Sequence, residues 1–457
     1  GKKKMISVVV RGILNNSPSK NEIHRFLRRW NSYQVDVAGA ALHRSSITQR
    51  FLRRWNSYQV DVAGAALHRS SITQSLWKLR CDEGADAPPA PNPDGTRYPS
   101  QSRVSIRYNL TRDAELRERY ESAFGTMRVG VLLEDMDALA GSCAWRHVDD
   151  ADPVTDPPIL VTASIEEMLF EEALSLSADY KMIGDVAWTG RSSIVICVEL
   201  MKLNMSTTEK ASSKALSAVF TYVARKRDGS GAETVFPIVP QTDAEKERWT
   251  RINEKQAELK KKRQQTKKSG KGAIDPTRVD ALLQASRALR DFPGQFQGDA
   301  IEMSRTSLKA AQMCHPQERN TAGHVFGGVL IRRAMEIAFA TAFTYGGTEP
   351  RLVALERVDF LKPVHVGALL AFSSIVTLTE TPPETTQSVS QPGYVHVYVS
   401  ARTWKPQNLE STLNNDFRFV FAIDKAPRPL KPVVPSLRSE AELQLFARPR
   451  YPDSSSS

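Results

Sequence analysis

No stretch of the 457-residue chain approaches 18 consecutive apolar residues, so no transmembrane helix and no integral membrane contact are expected. Cysteine is scarce. Cys81, Cys143, Cys197 and Cys314 lie far apart and form no CxxC pair. That spacing argues against a disulfide framework and a structural zinc site, and suits a reducing compartment. Acidic residues are nearly missing from residues 1–80, which hold 15 of the 62 Lys+Arg but 3 of the 51 Asp+Glu. The net charge of +11 therefore belongs to the N-terminal segment, and the rest of the chain is close to neutral. Aromatic residues for base stacking are missing from the charged run 243–272, where Trp249 stands alone, so no nucleic-acid partner is expected. What remains is ordinary globular composition, 41% hydrophobic and 25% charged, with length for two or three cores.

Residues 1–85 are rich in Arg and Ser with interspersed apolar residues, the composition of an organelle transit segment. Within them RFLRRWNSYQVDVAGAALHRSSITQ occurs twice, at 25–49 and 50–74. Two copies are too few for a solenoid core, and no function is assigned to them. Residues 86–102 read as a Pro-rich linker. The block 103–241 shows a helix at 130–147 and Val-, Ile- and Thr-rich strands at 159–165, 185–203 and 214–226. A charged helix and basic linker follow at 242–272. The block 273–438 repeats the order, with strands at 351–360, 368–380, 393–404 and 415–422, and residues 439–457 are a tail. A helix followed by several long strands, twice over, predicts an antiparallel sheet packed on a helix in each half. Placing Gly130 against Gly328 aligns the two helix starts.

The stretch 314–343 is a polar loop, a Gly327-Gly328 turn, and then a helix that is apolar around most of its circumference and must be buried. Unpaired N–H groups at such a helix start favour an oxygen carrying negative charge. Asp137 in the first block sits between Leu133 and Ala140 on or beside an apolar face, where an acid is costly without a partner.

CHPQERN at 314–320, then FGG, then LERVDFLKPVHVGALLAFSS at 355–374, resemble the second hotdog domain of the mitochondrial acyl-CoA thioesterases numbered nine and ten. MRVGVLLEDMDALAG at 127–141 with IGDVAWTGRSS at 183–193 is similar to that family's first domain, and the resemblance runs in order over roughly 103–427. It implies an α+β tandem (double) hotdog, each half a long central helix wrapped by an antiparallel β-sheet, with the two sheets joined. It also implies hydrolysis of acyl-CoA to free fatty acid and coenzyme A with no separate cofactor or metal, mitochondrial matrix location, and a homo-oligomer of double-hotdog protomers, trimer or dimer. In hotdog thioesterases the loop before the helix supplies an Asn and the helix supplies an acid, and the two meet across the interface of two hotdogs. Seven residues after the aligned glycine stand Asp137 and Met335; eight before it stand Ser122 and Asn320. The resemblance thus implies one composite site, Asp137 with Asn320, and an opposite pair, Ser122 with Met335, that cannot work. Asp137 would act as general base on water or as a nucleophile, with Asn320 orienting the water or the thioester. Backbone N–H groups near Gly327-Gly328 or Val129-Gly130 would hold the thioester oxygen, and the sequence leaves open which.

Glu336 is one residue, about 100° of helix, beyond the acid position. Arg332 and Arg333 lie four and three residues before it, which predicts an ion pair on the helix surface. His315 and His324 flank Asn320 without a nucleophile at triad spacing; His315 before Pro316 reads as a loop hydrogen-bonder, His324 and Glu336 are secondary site candidates, and Cys314 beside His315 is disfavoured as a nucleophile. Phe326 stands where many thioesterases have His, which weighs against a dehydratase. Arg351, Arg357 and Lys362 are candidates for coenzyme A phosphates, with a solvated surface as the default. Two other readings stay open: a non-catalytic hotdog protein serving as a binding or assembly subunit of a mitochondrial complex, and an acyl-CoA sensor. A scaffold needs neither Asp137 nor Asn320.

Overall fold

Two helices of twenty residues each, Val129–Val148 and Gly327–Gly346, form the axis of the computed structural model. The structure describes residues 71–78 and 89–450, apart from 153–154, 156, 167, 204–212, 270–274, 293, 296–298, 321–322, 383–391, 425 and 448. The first central helix is buried around its whole circumference, Glu134, Asp135 and Asp137 included. Such a helix has no solvent face to stabilise it and depends on the sheet that wraps it.

The strands follow the halves. In the first lie β1 (Val104–Tyr108), β2 (Ile159–Ile165), β3 (Met168–Phe170), β4 (Asp179–Thr189), β5 (Ser193–Leu203) and β6 (Ser213–Arg225). In the second lie β7 (Ile301–Glu302), β8 (Leu308–Met313), β9 (Arg351–Phe360), β10 (Leu369–Glu380), β11 (Gly393–Lys405), β12 (Glu410–Ile423) and β13 (Val433–Val434). β7 and β13 pair with each other. The others form one antiparallel sheet of order β1-β4-β5-β6-β2-β9-β12-β11-β10-β8, with β3 bridging β6 and β9. The order is mirrored about the β2–β9 pair, where Ser164 faces Asp359 and Ile165 faces Val358. This is the double hotdog expected from the resemblance. Alternation sets which face is inside: along β6, Leu216, Ala218, Phe220, Tyr222 and Ala224 are buried while Ser217, Val219, Thr221 and Val223 between them are half-buried.

The duplication is legible in the backbone itself. In the first half Ser122 N–H donates to Thr126 O (2.8 Å), Gly125 N–H to Ser122 O (3.1 Å) and Arg128 N–H to Tyr120 O (2.7 Å). In the second, at a constant offset, Asn320 N–H donates to His324 O (2.6 Å), Gly323 N–H to Asn320 O (3.1 Å) and Phe326 N–H to Glu318 O (2.8 Å). Gly125 and Gly323 share a positive φ, +73° and +79°, that L side chains rarely adopt. The alignment of Gly130 with Gly328 therefore holds in three dimensions.

Three boundaries differ from the sequence reading. Residues 1–70 lie outside the described residues, and with them all of the tandem repeat except its last four residues. Those four begin the helix Ser71–Lys78, which packs on the first central helix. Leu76 is fully buried, and Thr73 donates to Asp135 at 2.7 Å. Basic composition concealed this, because two inward residues per helical turn are enough to dock a short helix. Second, the Pro-rich segment is not a free linker where it is described: Arg97 is fully buried, donates to Pro89 O (2.7 Å) and Asp149 O, and stacks over Phe236 at 5.3 Å. Third, the tail begins within a helix, Arg438–Leu445, that packs on the helix Pro276–Asp291. The charged helix Asp243–Ser269 lies on the outer face of the sheet, where Ile252 packs with Ala187 and Val195, and Arg248 meets Asp185 at 2.7 Å. Among the described residues no helix is long and apolar enough to cross a membrane.

Two outcomes follow. Leu76→Ala should cost about 2–5 kcal/mol of folding stability by urea unfolding, the usual range for emptying a core site; no loss would mean that Ser71–Lys78 is dispensable. His147 is fully buried, with Nε2 2.8 Å from Phe236 O, and burial, aided by nearby Arg97, pushes its pKa down from 6.5 to about 4. The unfolded chain takes up that proton near pH 6.5 and the folded chain only near 4, so the contribution is complete above about 6.5 and is lost as pH falls towards 4. Between those values stability should drop by up to about 3 kcal/mol, and His147→Gln should flatten the slope.

Candidate active site

The central helices run antiparallel and touch at two equivalent points. A Cβ on Gly130 would stand 3.1 Å from Arg332 Cγ, and one on Gly328 would stand 3.0 Å from Glu134 Cα and O. Glu134 and Arg332 occupy matching positions in the two halves, and they pair at 2.7 Å with Glu134 fully buried. Removing one partner of such a pair strands a buried charge, so this bond fixes the register of one helix on the other.

That register carries Asp137 past its own helix start to the start of the other. A Cβ on Gly327 would lie 2.9 Å from Asp137 Oδ2 and 3.3 Å from Phe360. The question of which glycine turn faces Asp137 is thereby answered: Gly327, while Gly130 faces Arg332. The other carboxylate oxygen, Oδ1, is held by the sheet. Tyr222 Oη lies 2.7 Å from Oδ1 and 2.9 Å from the Asp137 carbonyl oxygen, and Thr162 Oγ1 lies 3.2 Å from Oδ1. Thr162 and Tyr222 are paired across β2 and β6, so their hydroxyls converge from adjacent strands.

Asn320 is half-buried at the head of the loop that leads into Gly327, and its Oδ1 accepts the N–H of His324 at 3.0 Å. The His324 ring is 4.9 Å from that of His365; burial, and then His365, holds its pKa below the usual range. Cys314 is 2% exposed, and burial pushes its thiol up to about 11, which removes the thiolate a nucleophile needs.

The first helix start is built differently. Ser122 stands at the Asn position and bonds with Thr126 (2.8 Å), and Thr126 donates to Glu349 at 2.8 Å. Phe124 packs on Phe339 and Phe343, with ring centroids 5.9 and 5.4 Å away. Met335, at the acid position, is buried. Glu336 is in an ion pair on the surface, as expected, but not with the residues expected: its partner is Arg128 at 2.6 Å, across the helix interface. Arg332 is taken by Glu134 and Arg333 by Glu318, so both helix neighbours have nearer acids. Of the phosphate candidates, Arg357 makes a two-bonded pair with Asp359 (2.8 Å each) and Arg351 pairs with Asp424 at 2.9 Å, while Lys362 is exposed.

The chain is 35% identical to the mitochondrial acyl-coenzyme A thioesterase 4 of Humulus lupulus over 381 residues, 80% of this chain and 70% of that one. The chain belongs to the acyl-coenzyme A thioesterase family. The chloroplastic acyl-coenzyme A thioesterase 2 of the same plant is 34% identical over 80% of this chain and 85% of that one. The human mitochondrial acyl-coenzyme A thioesterase 9 is 30% identical over 72% and 73%. No protein-family profile matches the chain. Within this family's chain, Thr162 and Tyr222 are contacts of the acid that sequence reading missed. Both sit in strands whose composition already explained them as strand formers. The available signal was a hydroxyl in an otherwise apolar inward row, since a buried phenol needs a partner.

Gly327→Ala tests the approach of Asp137 to the helix start. The new methyl would collide with a carboxylate that the sheet holds in place, so kcat for thioester hydrolysis should fall by about 10- to 100-fold with the melting temperature little changed. Full activity would show that Asp137 and Gly327 need not be in contact.

Proposed function

We propose that the protein hydrolyses acyl-CoA to the free acid and coenzyme A at one composite site shared by its two halves. The reading is carried by the placement of Asp137 Oδ2 against Gly327, which brings an acid from one half to the helix start of the other; Asn320 stands seven residues before that glycine in the chain. The names of the relatives support the substrate class.

Asp137 takes a proton from a water as its oxygen bonds to the thioester carbon. The carbonyl oxygen gains charge and is received by the N–H groups of Gly327 and Gly328 at the start of the Gly327–Gly346 helix. Asn320 orients the water or the thioester. As the C–S bond breaks, the proton on Asp137 passes to the leaving thiolate, and the products are carboxylic acid and free thiol. Neither a metal nor a separate cofactor enters these steps. Lys362 serves as a contact for coenzyme A phosphates in preference to Arg351 and Arg357, whose guanidinium groups are already paired.

The double hotdog works as a homo-oligomer, trimer or dimer, in the mitochondrial matrix; light scattering of the purified protein and a reporter fused to residues 1–80 check these two statements. For the site, thiol release from a panel of acyl-CoAs should fall by a factor of 100 or more, about the loss expected for an essential base, in Asp137→Ala. Asn320→Ala should fall by about tenfold or more. Glu336→Ala should keep its activity. Turnover that survives both of the first two substitutions would remove the composite site.

A further inference from the structure

A carboxylate has two oxygens and can turn about two bonds, so a base that must present one oxygen to a fixed point needs the other one held. In this protein the holder is built into the sheet. Tyr222 is 4% exposed, and its single hydroxyl meets both the Oδ1 and the carbonyl oxygen of Asp137, at 2.7 and 2.9 Å. It therefore ties the side chain and the backbone of the same residue. Thr162 adds a bond to Oδ1, but at 3.2 Å it is longer than a normal O–H···O bond. A second observation is independent of these distances. The inward row of β12, the equivalent strand of the half with Met335 at the acid position, carries Phe417, Phe419 and Phe421. The rings of the β6 row are Phe220 and Tyr222, and among these inward aromatic residues the hydroxyl is found on β6, in the half that has Asp137.

We propose that Tyr222 is a positioning residue for the hydrolysis: its hydroxyl anchors Asp137 Oδ1 to the sheet so that Oδ2 faces the start of the Gly327–Gly346 helix. This rests on Asp137 being the reacting acid. Tyr222 itself touches neither water nor thioester in this scheme, so its contribution exists only through Asp137.

The test is a double-mutant cycle on the full chain, reading thiol release as kcat and KM separately. Tyr222→Phe keeps the ring and removes the hydroxyl; kcat should fall by about 10- to 100-fold, the range for a misplaced reacting group, with KM within about twofold. Combined with Asp137→Ala, it should cost nothing further. Wild-type kcat in Tyr222→Phe, or losses that add in the double variant, would overturn the proposal. Site-specific placement of 3,5-difluorotyrosine at position 222 covers the case in which the Phe variant does not fold. It changes the strength of the donor and barely its shape, so kcat should change at constant KM, and an unchanged kcat overturns the proposal. Should Asp137→Ala itself remain active, the site assignment fails and this inference with it. A dead Asp137→Ala beside an unaffected Tyr222→Phe rejects the inference alone.

Discussion

The Glu134–Arg332 pair is the interaction on which the rest of the arrangement turns. Its carboxylate is fully buried, and it lies between two glycine contacts that bring the helix backbones together. A pair in that position contributes little net stability over an apolar contact, because both groups lost their water. What it contributes is register. Slipping one helix along the other would leave Glu134 charged and alone, and it would also carry Asp137 away from Gly327. The approach of Asp137 to Gly327 is therefore set by a contact between other residues.

Asp135 and Asp137, two residues apart on the same helix, show how surroundings divide similar groups into different roles. Asp135 receives the hydroxyls of Thr73 at 2.7 Å, Tyr108 at 3.2 Å and Tyr120, which come from three separate segments. A carboxylate enclosed in that way is a structural bolt, and it fastens the Ser71–Lys78 helix to the core. Asp137 has hydroxyl partners on one oxygen, while the other is directed at a helix start. The first acid joins three segments of the fold, and the second is turned towards the helix start of the other half.

The two halves share their backbone and differ in their side chains. Each loop before a central helix closes with the same three hydrogen bonds, and each has a glycine at positive φ. One helix start faces Asp137. In the loop before the other, Phe124 packs on Phe339 and Phe343, and Arg128 at that helix start pairs with Glu336. Backbone bonds are made by any residue and survive substitution, so a duplicated chain can keep two like folds while the side chains at its two helix starts diverge.

The sequence by itself determined the α+β repeat, the alignment of Gly130 with Gly328, and the presence of an acid on the helix of one half and an Asn in the loop of the other. These are legible because strand alternation, helix burial and turn glycines are local in the chain. It did not show that Ser71–Lys78 and Arg97 belong to the fold, since a few inward residues are lost in basic or Pro-rich composition. Nor did it reveal that Glu336 pairs with Arg128, for that bond joins residues 208 positions apart. Only the tertiary structure decided which helix start faces Asp137 and which hydroxyls hold it. Tyr222 lies 85 residues from Asp137, and their meeting depends on how the sheet wraps the helix, a packing relation that no local pattern encodes.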